Sequence, residues 1–293
     1  MLKKNNFHPE ICIITGCSSG LGLEILKKLS KSKKIIYGIS KNKKKLDKLK
    51  ANLKKENILT KHIVLKNLDI SNEIKVKKFI KNIISRHKRI DVLINNAGIN
   101  GPMGEFEKIK TAIWKKAFEV NFYGSFNFYK YVLPNMKKNR YGRIVQISGG
   151  GATSPFPMFT PYAAAKAAIV RLAETLSKEV RKEHDIKINS IAPGTLNTKF
   201  TNLKLKAGPK KIGSKHFSLM KKIKKYGGDD PSKAAELCLK LIEKKNKLNG
   251  KIISAVWDNW EKFSKIQKKL NDNDVLTIRR ISGRDRNLKI IDK

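Results

Sequence analysis

The sequence has few cysteines, and they follow no recognisable pattern. Cys12, Cys17 and Cys238 are odd in number, lack CxxC spacing and have no histidine cluster beside them. This argues against both a disulfide framework and a zinc site. We therefore expect reduced, mostly buried thiols and no bound metal.

Long apolar runs are absent as well. No stretch approaches the roughly 18 to 20 residues that a bilayer-spanning helix requires. The opening "MLKKNNFHPE" contains no signal-type apolar segment. The sequence therefore predicts a cytoplasmic protein without a membrane partner.

Acidic residues are scarce. The chain has 65 Lys+Arg against 24 Asp+Glu, which leaves a net charge of +41. A charge of this size would suit nucleic acid, an anionic membrane or an acidic partner. The lysines are nevertheless spread over nearly every predicted helix surface and occur with many asparagines. This favours a positive charge that reflects the overall amino-acid composition rather than a binding surface. We expect no nucleic-acid partner, and a polyanion-binding protein stays open as an alternative.

Continuous apolar strands alternate with amphipathic helices along the 293 residues. The clearest helix is 72–87, where apolar residues recur at helical spacing behind a cap at Ser71 or Asn72. Such alternation indicates βαβ units and predicts a single α/β domain, a Rossmann-type doubly wound parallel sheet with helices on both faces. The seven predicted strands are 10–15, 34–40, 62–68, 90–95, 143–148, 186–191 and 251–256.

One long, loop-like interruption covers residues 194–232. It follows the carboxyl end of a strand, where such sheets place their ligands, so we expect it to cover the substrate. Its lysines favour an anionic substrate such as a sugar phosphate, a nucleotide sugar or an acyl group on an acidic carrier protein. The lysine content of the whole chain weakens that indication. The lysines are Lys199, Lys204, Lys206, Lys210, Lys211 and Lys215.

A glycine-rich turn, "TGCSSGLG" at 15–22, lies between the first strand and the first helix. Glycines let the main chain approach a ligand closely, and the free N–H groups at the start of the helix attract phosphate. The turn therefore predicts a bound dinucleotide. The spacing is G-x-x-x-G-x-G rather than G-x-G-x-x-G, so an ordinary tight turn is the alternative.

Further motifs follow the turn in order. They are Asn95-Asn96-Ala97-Gly98 after the fourth strand, Asn121 in "VNFYG", Ser148 ending the fifth strand, and Tyr162-x-x-x-Lys166. With the turn, they resemble the short-chain dehydrogenase/reductase family over roughly residues 9–256. "SGGGATSPFPMFTPYAAAKAA", "GKIISAVWDNW" and "LTIRR" resemble a bacterial subgroup tied to surface-carbohydrate pathways.

The resemblance implies an NAD(P)-dependent oxidoreductase (EC 1.1.1.-) that transfers a hydride between the cofactor and a carbonyl or secondary alcohol. A sugar derivative or a 3-oxoacyl thioester is the candidate substrate. Two departures are three glycines after Ser148, and Ala165 where many relatives carry serine. The implied catalytic residues are Asn121, Ser148, Tyr162 and Lys166. The implied cofactor contacts are Thr15, Gly16, Ser18, Ser19, Gly20, Leu21, Gly22, Ser40, Lys41, Asp69, Asn95, Ala97, Gly98, Tyr162, Lys166, Pro193, Gly194 and Thr198.

The catalytic set suits proton transfer to a ketone oxygen. Tyr162 and Lys166 are four residues apart on a predicted helix and share a face. We expect the ammonium to favour the phenolate and so lower the pKa of Tyr162. Ser148 is expected to hydrogen-bond the substrate oxygen. By resemblance, Asn121 holds a water that links Lys166 to solvent.

The end of the second strand predicts the cofactor. An acidic side chain there would bind the ribose 2′-hydroxyl and repel a 2′-phosphate. "GISKNKKK" offers Ser40 and Lys41 and no carboxylate. We therefore expect NADP(H) to be preferred over NAD(H). A non-catalytic NADP-binding regulatory or scaffold protein on the same fold is the remaining alternative.

The resemblance also implies a homodimer or homotetramer, assembled through helices that begin near 111 and 161. We divide the chain into a dinucleotide-binding and catalytic domain, 1–256, and a C-terminal extension, 257–293. Three roles stay open for the extension: packing on a neighbouring subunit, closing the active site, or forming a partly ordered basic tail.

Overall fold

The computed structural model describes residues 10–58, 61–282 and 284–287. Its sheet is parallel, with the strand order β3-β2-β1-β4-β5-β6-β7. The predicted seven-stranded sheet is confirmed, and each strand boundary lies within two residues of the predicted one. The strands are β1 Ile11–Thr15, β2 Ile35–Ser40, β3 Ile63–Asn67, β4 Val92–Asn95, β5 Tyr141–Ile147, β6 Asp185–Ala192 and β7 Ile252–Ser254.

Helices cover both faces of the sheet, as predicted. Apolar residues of α1, α2 and α10 form one core with one face of the sheet, and those of α3, α5 and α6 form a second core on the other. The helices are α1 Gly20–Leu29, α2 Lys43–Lys55, α3 Glu73–His87, α4 Thr111–Phe118, α5 Gly124–Lys138, α6 Thr160–Glu179, α7 Lys199–Ala207, α8 Pro209–Ile212, α9 Ser214–Tyr226, α10 Pro231–Ile242 and α11 Gln267–Asn271.

The strand order places a crevice above β1 and β4. The chain passes from β1 to β2 on one side, whereas β4 lies on the other side of β1. Such a reversal opens a crevice at the carboxyl ends of the strands, where ligands bind in open α/β sheets. The glycine turn follows β1 and residues 95–98 follow β4, so both motifs lie at this crevice.

Local capping explains where α3 begins. Asn72 precedes the helix, and its side-chain oxygen accepts a hydrogen bond of 2.9 Å from the backbone N–H of Lys75. This bond satisfies one of the free N–H groups of the first turn. Of the two predicted caps, the structure therefore selects Asn72.

The prediction that residues 194–232 are loop-like is wrong. Three helices, α7, α8 and α9, occupy most of this segment. Gly208 and Gly213 separate them, with φ angles of 78° and 79° that favour glycine. The helices are short and lysine-rich, so no long apolar periodicity marks them in the sequence.

The extension packs on its own chain as far as the structure describes it. Trp260 is buried, and its indole Nε1 donates a hydrogen bond of 3.1 Å to the carbonyl of Ala255. The N–H of Ile278 donates to the Glu174 carboxylate at 2.7 Å. Contacts within the chain thus hold these residues, whereas residues 288–293 lie outside the described part. The division at 256 stays a prediction.

The three cysteines are buried, as expected. Burial raises the pKa of the Cys17 thiol to about 12. Among the described residues, no helix has the length and apolar character needed to cross a membrane. The cytoplasmic location stays a prediction.

Candidate active site

The glycine turn packs tightly against the loop that follows β4. Gly16 has a φ of 70°, and a Cβ there would come within 2.8 Å of the Ala97 Cα. A Cβ on Gly22 would overlap the carbonyl of Gly16. Both positions therefore exclude a side chain, and the turn lies against the residues that end β4.

Hydrogen bonds lock the two loops together. Thr15 Oγ1 accepts from the backbone N–H groups of Asn96 and Ala97, each at 3.0 Å. Asn96 donates its side-chain amide to the carbonyls of Thr15 at 2.9 Å and Gly16 at 3.1 Å. The structure thus brings the predicted contacts Thr15, Gly16 and Ala97 together. It also adds Asn96 as their clamp, a role that the sequence motif alone did not assign.

Asn95 differs from its neighbours. Its side chain is 1% exposed and donates to the carbonyl of Ser125 at 3.4 Å. It therefore points into the protein between β4 and α5 and does not present its amide to a ligand. The carbonyl of Asn95 accepts from the Gln146 side chain at 3.3 Å, and the cofactor contact that the resemblance implies stays a prediction.

The start of α1 is free to receive an anion. Ser19 caps the helix without a side-chain hydrogen bond, and the first turn contains no acidic residue. Leu21 is buried beneath the turn. A helix start with no side-chain cap and no acidic residue in its first turn suits a phosphate.

Residues 193–198 form the opposite wall. A Cβ on Gly20 would lie 3.6 Å from the Thr198 side chain, so the turn and Thr198 face each other. A cavity of about 300 Å³ separates them and extends to residues 229–231. Gly194 has a φ of 86°, and Asp229 accepts the N–H of Thr195 at 2.5 Å, which fixes the strand exit after Pro193.

The ends of β2 and β3 bring four predicted contacts together. The hydroxyls of Ser18 and Ser40 are 2.8 Å apart, and Lys41 Nζ lies 2.7 Å from an Asp69 carboxylate oxygen. Burial alone would raise the pKa of Asp69, but hydrogen bonds from Lys41 and Ser71 outweigh it, so this pKa is lowered. A paired carboxylate and an exposed ammonium thus lie where an adenosine ribose is expected.

Tyr162 and Lys166 lie on one face of α6, as predicted, with the ammonium 5.7 Å from the centre of the phenol ring. Lys166 is 3% exposed and donates to the carbonyl of Ile147 at 2.8 Å. Burial lowers the pKa of Lys166 to about 8. It raises the pKa of Tyr162 to about 12. The expectation of a lowered tyrosine pKa is therefore wrong for the protein alone, because loss of water outweighs the nearby ammonium.

The tyrosine hydroxyl lies directly against Gly149. A Cβ on Gly149 would overlap the hydroxyl oxygen, so glycine is required there if the ring keeps its position. The neighbouring Ser148 hydroxyl is buried and makes no hydrogen bond with any described residue. The structure therefore brings the residue after Ser148 against the Tyr162 hydroxyl, and the Ser148 hydroxyl has no partner among the described residues.

Asn121 lies in a π-helical turn, Glu119–Tyr123, between α4 and α5. Its side chain accepts from the N–H of Ile99 and donates to the carbonyl of Ile99, both at 2.9 Å. A Cβ on Gly98 would lie 2.8 Å from the Asn121 side-chain oxygen and 3.9 Å from Lys166 Nζ. Asn121, Gly98 and Lys166 thus meet at one point. Because Ile99 occupies both side-chain groups, the water-binding role of Asn121 stays a prediction.

One group beside the tyrosine was not recognised from the sequence. Phe156, Phe159, Lys204 and His216 pack together next to Tyr162, and the rings of Phe156 and Tyr162 have centroids 6.4 Å apart. We call these four residues the lysine–aromatic cluster. Lys204 was predicted only as one of six lysines, and nothing in the sequence distinguished it from the others.

A parallel sheet with a glycine turn at its crevice and a tyrosine–lysine pair on one helix face is typical of a dinucleotide-dependent oxidoreductase. The chain belongs to the short chain dehydrogenase family, whose model matches residues 10–207. It is an NAD(P)-dependent oxidoreductase of that family.

Individual relatives agree with this assignment. The chain is 34% identical to a 3-ketodihydrosphingosine reductase of Bacteroides thetaiotaomicron over 81% of its length and 85% of the relative. It is 30% identical to a 3-oxoacyl-[acyl-carrier-protein] reductase of Thermotoga maritima over 66% of its length and 76% of the relative. The solved structure of ElxO with NADP bound superposes with a TM-score of 0.72 at 27% identity, covering 84% of this chain and 97% of that one. The narrower resemblance to a surface-carbohydrate subgroup stays a prediction.

Proposed function

We propose that the protein is an NADPH-preferring reductase of a small-molecule ketone, with Tyr162 as the proton donor. The observation that carries this proposal is the pair of Tyr162 and Lys166 at the crevice, with the lysine buried beneath a half-buried tyrosine. A surface pair at helical spacing would be solvated, whereas Lys166 is 3% exposed. A buried ammonium next to a partly accessible phenol at one ligand-binding edge supports a catalytic role.

The residues at the crevice fit a nicotinamide dinucleotide. The free start of α1 with Gly16 and Gly20 would hold the pyrophosphate, and the Ser40–Lys41 corner would hold the adenosine end. The segment after Pro193 would hold the nicotinamide end. When bound, the cofactor supplies or accepts the hydride.

The protein's own residues handle the proton. With a pKa raised to about 12, Tyr162 carries its proton at neutral pH and is in the correct state to donate it. Ser148 supplies a buried, unpaired hydroxyl for the substrate oxygen. Reduction adds one hydride and the tyrosine proton to the carbonyl, and the tyrosine then recovers its proton from solvent. Lys166, 5.7 Å from the ring centre, stabilises the phenolate formed meanwhile.

Positive charge around the adenosine end supports the preference for NADP(H). Lys41 is 65% exposed and already pairs with Asp69, so the carboxylate at this corner is neutralised. The pKa of Lys45 is lowered, first by its contact with Lys199, so two further ammonium groups face each other nearby. A 2′-phosphate would relieve such repulsion.

A substrate panel tests the proposed reaction. One relative is named a 3-ketodihydrosphingosine reductase and the other a 3-oxoacyl-[acyl-carrier-protein] reductase. The panel therefore includes long-chain amino ketones and 3-oxoacyl thioesters, with sugar ketones and simple ketones beside them. We expect NADPH oxidation, followed by absorbance, with at least one class. Tight NADPH binding without turnover of any class would instead favour the non-catalytic alternative.

The pH dependence of reduction follows from the Lys166 ammonium. Its pKa of about 8 keeps it charged at pH 7, and Tyr162 stays protonated through this range. We therefore expect reductive kcat/KM to be constant below about pH 7 and to fall as pH rises through about 8. Lys166→Arg should be slower but should lose this falling limb, because arginine keeps its charge. A wild-type profile that is level up to pH 10 would contradict this role of Lys166.

A partly exposed aromatic row supports assembly into a homodimer or homotetramer. Helices begin at Thr111 and Thr160, close to the predicted 111 and 161. Along α4, the π-turn and α5, aromatic rings contact each other four residues apart, with centroid distances of 5.6, 5.3 and 6.2 Å. The rings are half-buried, and Ile113 and Tyr123 beside them are exposed. An apolar patch of this kind is typical of an interface. The rings belong to Trp114, Phe118, Phe122 and Phe126.

A charge on this face should break the assembly. Ile113 is 52% exposed on α4, and Ile113→Glu would bury a carboxylate in the proposed interface. We expect sedimentation velocity to show a smaller species than wild type. The matched control is Ile74→Glu on α3, where Ile74 is 81% exposed and the oligomer should persist. An unchanged sedimentation coefficient for Ile113→Glu would place the interface elsewhere.

A further inference from the structure

The lysine–aromatic cluster joins the start of α6, where Tyr162 lies, to helices α7 and α9 of residues 194–232. Phe156 and Phe159 stack with centroids 4.3 Å apart and planes 10° apart. Lys204 Nζ, from α7, lies 5.5 and 5.2 Å from the two ring centres. The His216 ring, from α9, meets both phenylalanines edge-on at 5.3 and 5.2 Å. Three separate parts of the chain thus converge here.

Lys204 is half-buried against the two rings, and its ammonium has no counter-charge. Burial lowers the pKa of Lys204 to about 8. No carboxylate of the described residues lies within ion-pair distance of it, and residues 199–226 contain no Asp or Glu. Buried charges in proteins are almost always paired, and contact with aromatic faces replaces only part of the lost hydration.

His216 adds an unpaired nitrogen to the same place. Its Nε2 is buried and has no hydrogen-bond partner among the described residues. Burial, and secondly the charge of Lys204, lowers the pKa of His216 to about 4, so the ring is neutral at pH 7. A buried polar atom without a partner requires an explanation. A ligand that accepts hydrogen bonds and carries negative charge would satisfy both side chains.

We propose that Lys204 and His216 bind an oxyanion of the substrate, a carboxylate or a phosphate, while the phenylalanine rings contact an apolar segment that links it to the carbonyl. The inference rests on the proposed function, because it names the substrate class of that same site. Phe156 contacts both ends: its ring centroid is 6.4 Å from that of Tyr162 and 5.5 Å from Lys204 Nζ. The anion and the reacting carbonyl therefore occupy one continuous site.

The chemistry of the cluster limits the substrate. An apolar, partly aromatic wall with a single half-buried cation suits an amphipathic oxo acid or an oxo phosphate better than an uncharged sugar. A long-chain amino ketone would bring a second cation beside Lys204 and is disfavoured. The other five lysines predicted in 194–232 are not needed for this recognition.

Binding of small anions tests the site without requiring turnover. Hexanoate, hexyl phosphate and neutral hexanamide are titrated into the NADPH complex by calorimetry at pH 7. We expect at least one of the two anions to bind about 30-fold more tightly than the amide, as a hydrogen bond to a charged group implies. The relative strength of the two anions distinguishes a carboxylate site from a phosphate site. Equal binding of all three compounds would overturn the proposal.

Substitutions of Lys204 test whether this residue causes the tighter binding of anions than of the amide. Lys204→Met keeps an apolar stem against the rings and should bring the anion-to-amide ratio to about 1, whereas Lys204→Arg should retain most of it. Lys222→Met removes an exposed lysine from α9 as the matched control and should leave the ratio unchanged. Unchanged discrimination in Lys204→Met would also overturn the proposal. The comparison of the anions with the amide uses the wild-type protein alone. It therefore still tests the proposal if a Lys204 variant fails to fold.

These experiments distinguish a failure of the proposed anion site from a failure of the proposed reductase function. Turnover of ketones with equal binding of hexanoate, hexyl phosphate and hexanamide would reject the anion site and keep the reductase. Lys204-dependent anion binding without turnover of any ketone would keep the site and reject the reductase.

Discussion

Tyr162→Phe is expected to lower NADPH-dependent ketone reduction by about 10²- to 10⁴-fold, the usual contribution of a general acid. The hydroxyl lies against Gly149, and phenylalanine removes only that oxygen. The ring contact with Phe156 is retained, so the site should keep its shape. We expect NADPH affinity, measured by fluorescence titration, to change little. Initial rates with the best panel substrate measure the loss.

Tyr226→Phe is the matched control for this change. Tyr226 is 75% exposed at the end of α9, and removal of its hydroxyl should leave the rate unchanged. Retention of more than about a tenth of the wild-type rate by Tyr162→Phe would assign the proton transfer to another group. A rate too low to measure in the wild type, with full NADPH binding in both proteins, would instead support a non-catalytic role.

The sheet was predictable because its strands are nearly continuous apolar runs. Strands buried on both faces by helices need apolar side chains at every position, and β1 shows this over Ile11–Thr15. The helices of residues 194–232 were not predictable in the same way. The helices α7, α8 and α9 are held by contacts with each other and with Phe156 and Phe159, and these contacts are distant in the sequence.

The chemistry of the tyrosine shows a similar limit. Helical spacing correctly placed Tyr162 and Lys166 on one face of α6, but spacing contains no information about burial. The structure reverses the expected direction of the tyrosine pKa because the site excludes water. Tertiary packing also accounts for the glycine after Ser148. Gly149 was a departure from the family pattern in the sequence, and in the structure it makes room for the tyrosine hydroxyl.

Two lysines have environments that the sequence alone does not reveal. Lys204 and Lys41 are indistinguishable from their many neighbours in the sequence. In the structure, Lys204 is half-buried against two rings, whereas Lys41 is exposed and paired with Asp69. Only the fold decides which of the lysines face a ligand. Both therefore carry proposals that single substitutions can test.

Lys41→Asp is expected to reverse the cofactor preference. In the wild type, Lys41 Nζ lies 2.7 Å from an Asp69 carboxylate oxygen. The substitution removes the ammonium proposed to contact the 2′-phosphate and places a second carboxylate beside Asp69. Loss of a charged hydrogen bond costs about 1.5 to 3 kcal/mol, and repulsion of the phosphate adds to it. We expect the ratio of kcat/KM for NADPH to that for NADH to fall by about 10²- to 10³-fold.

Lys48→Asp separates the local contact from the general field. It makes the same change in charge at an exposed position of α2, away from the Ser40 and Asp69 corner. In a chain of net charge +41, a preference due to the overall field would respond equally to both substitutions. A preference set by direct contact would respond only to Lys41→Asp, and its response should persist at high salt because short-range contacts are screened less than distant charges. Equal, salt-sensitive effects of the two variants would mean that the lysine-rich surface as a whole, and not Lys41, selects the cofactor.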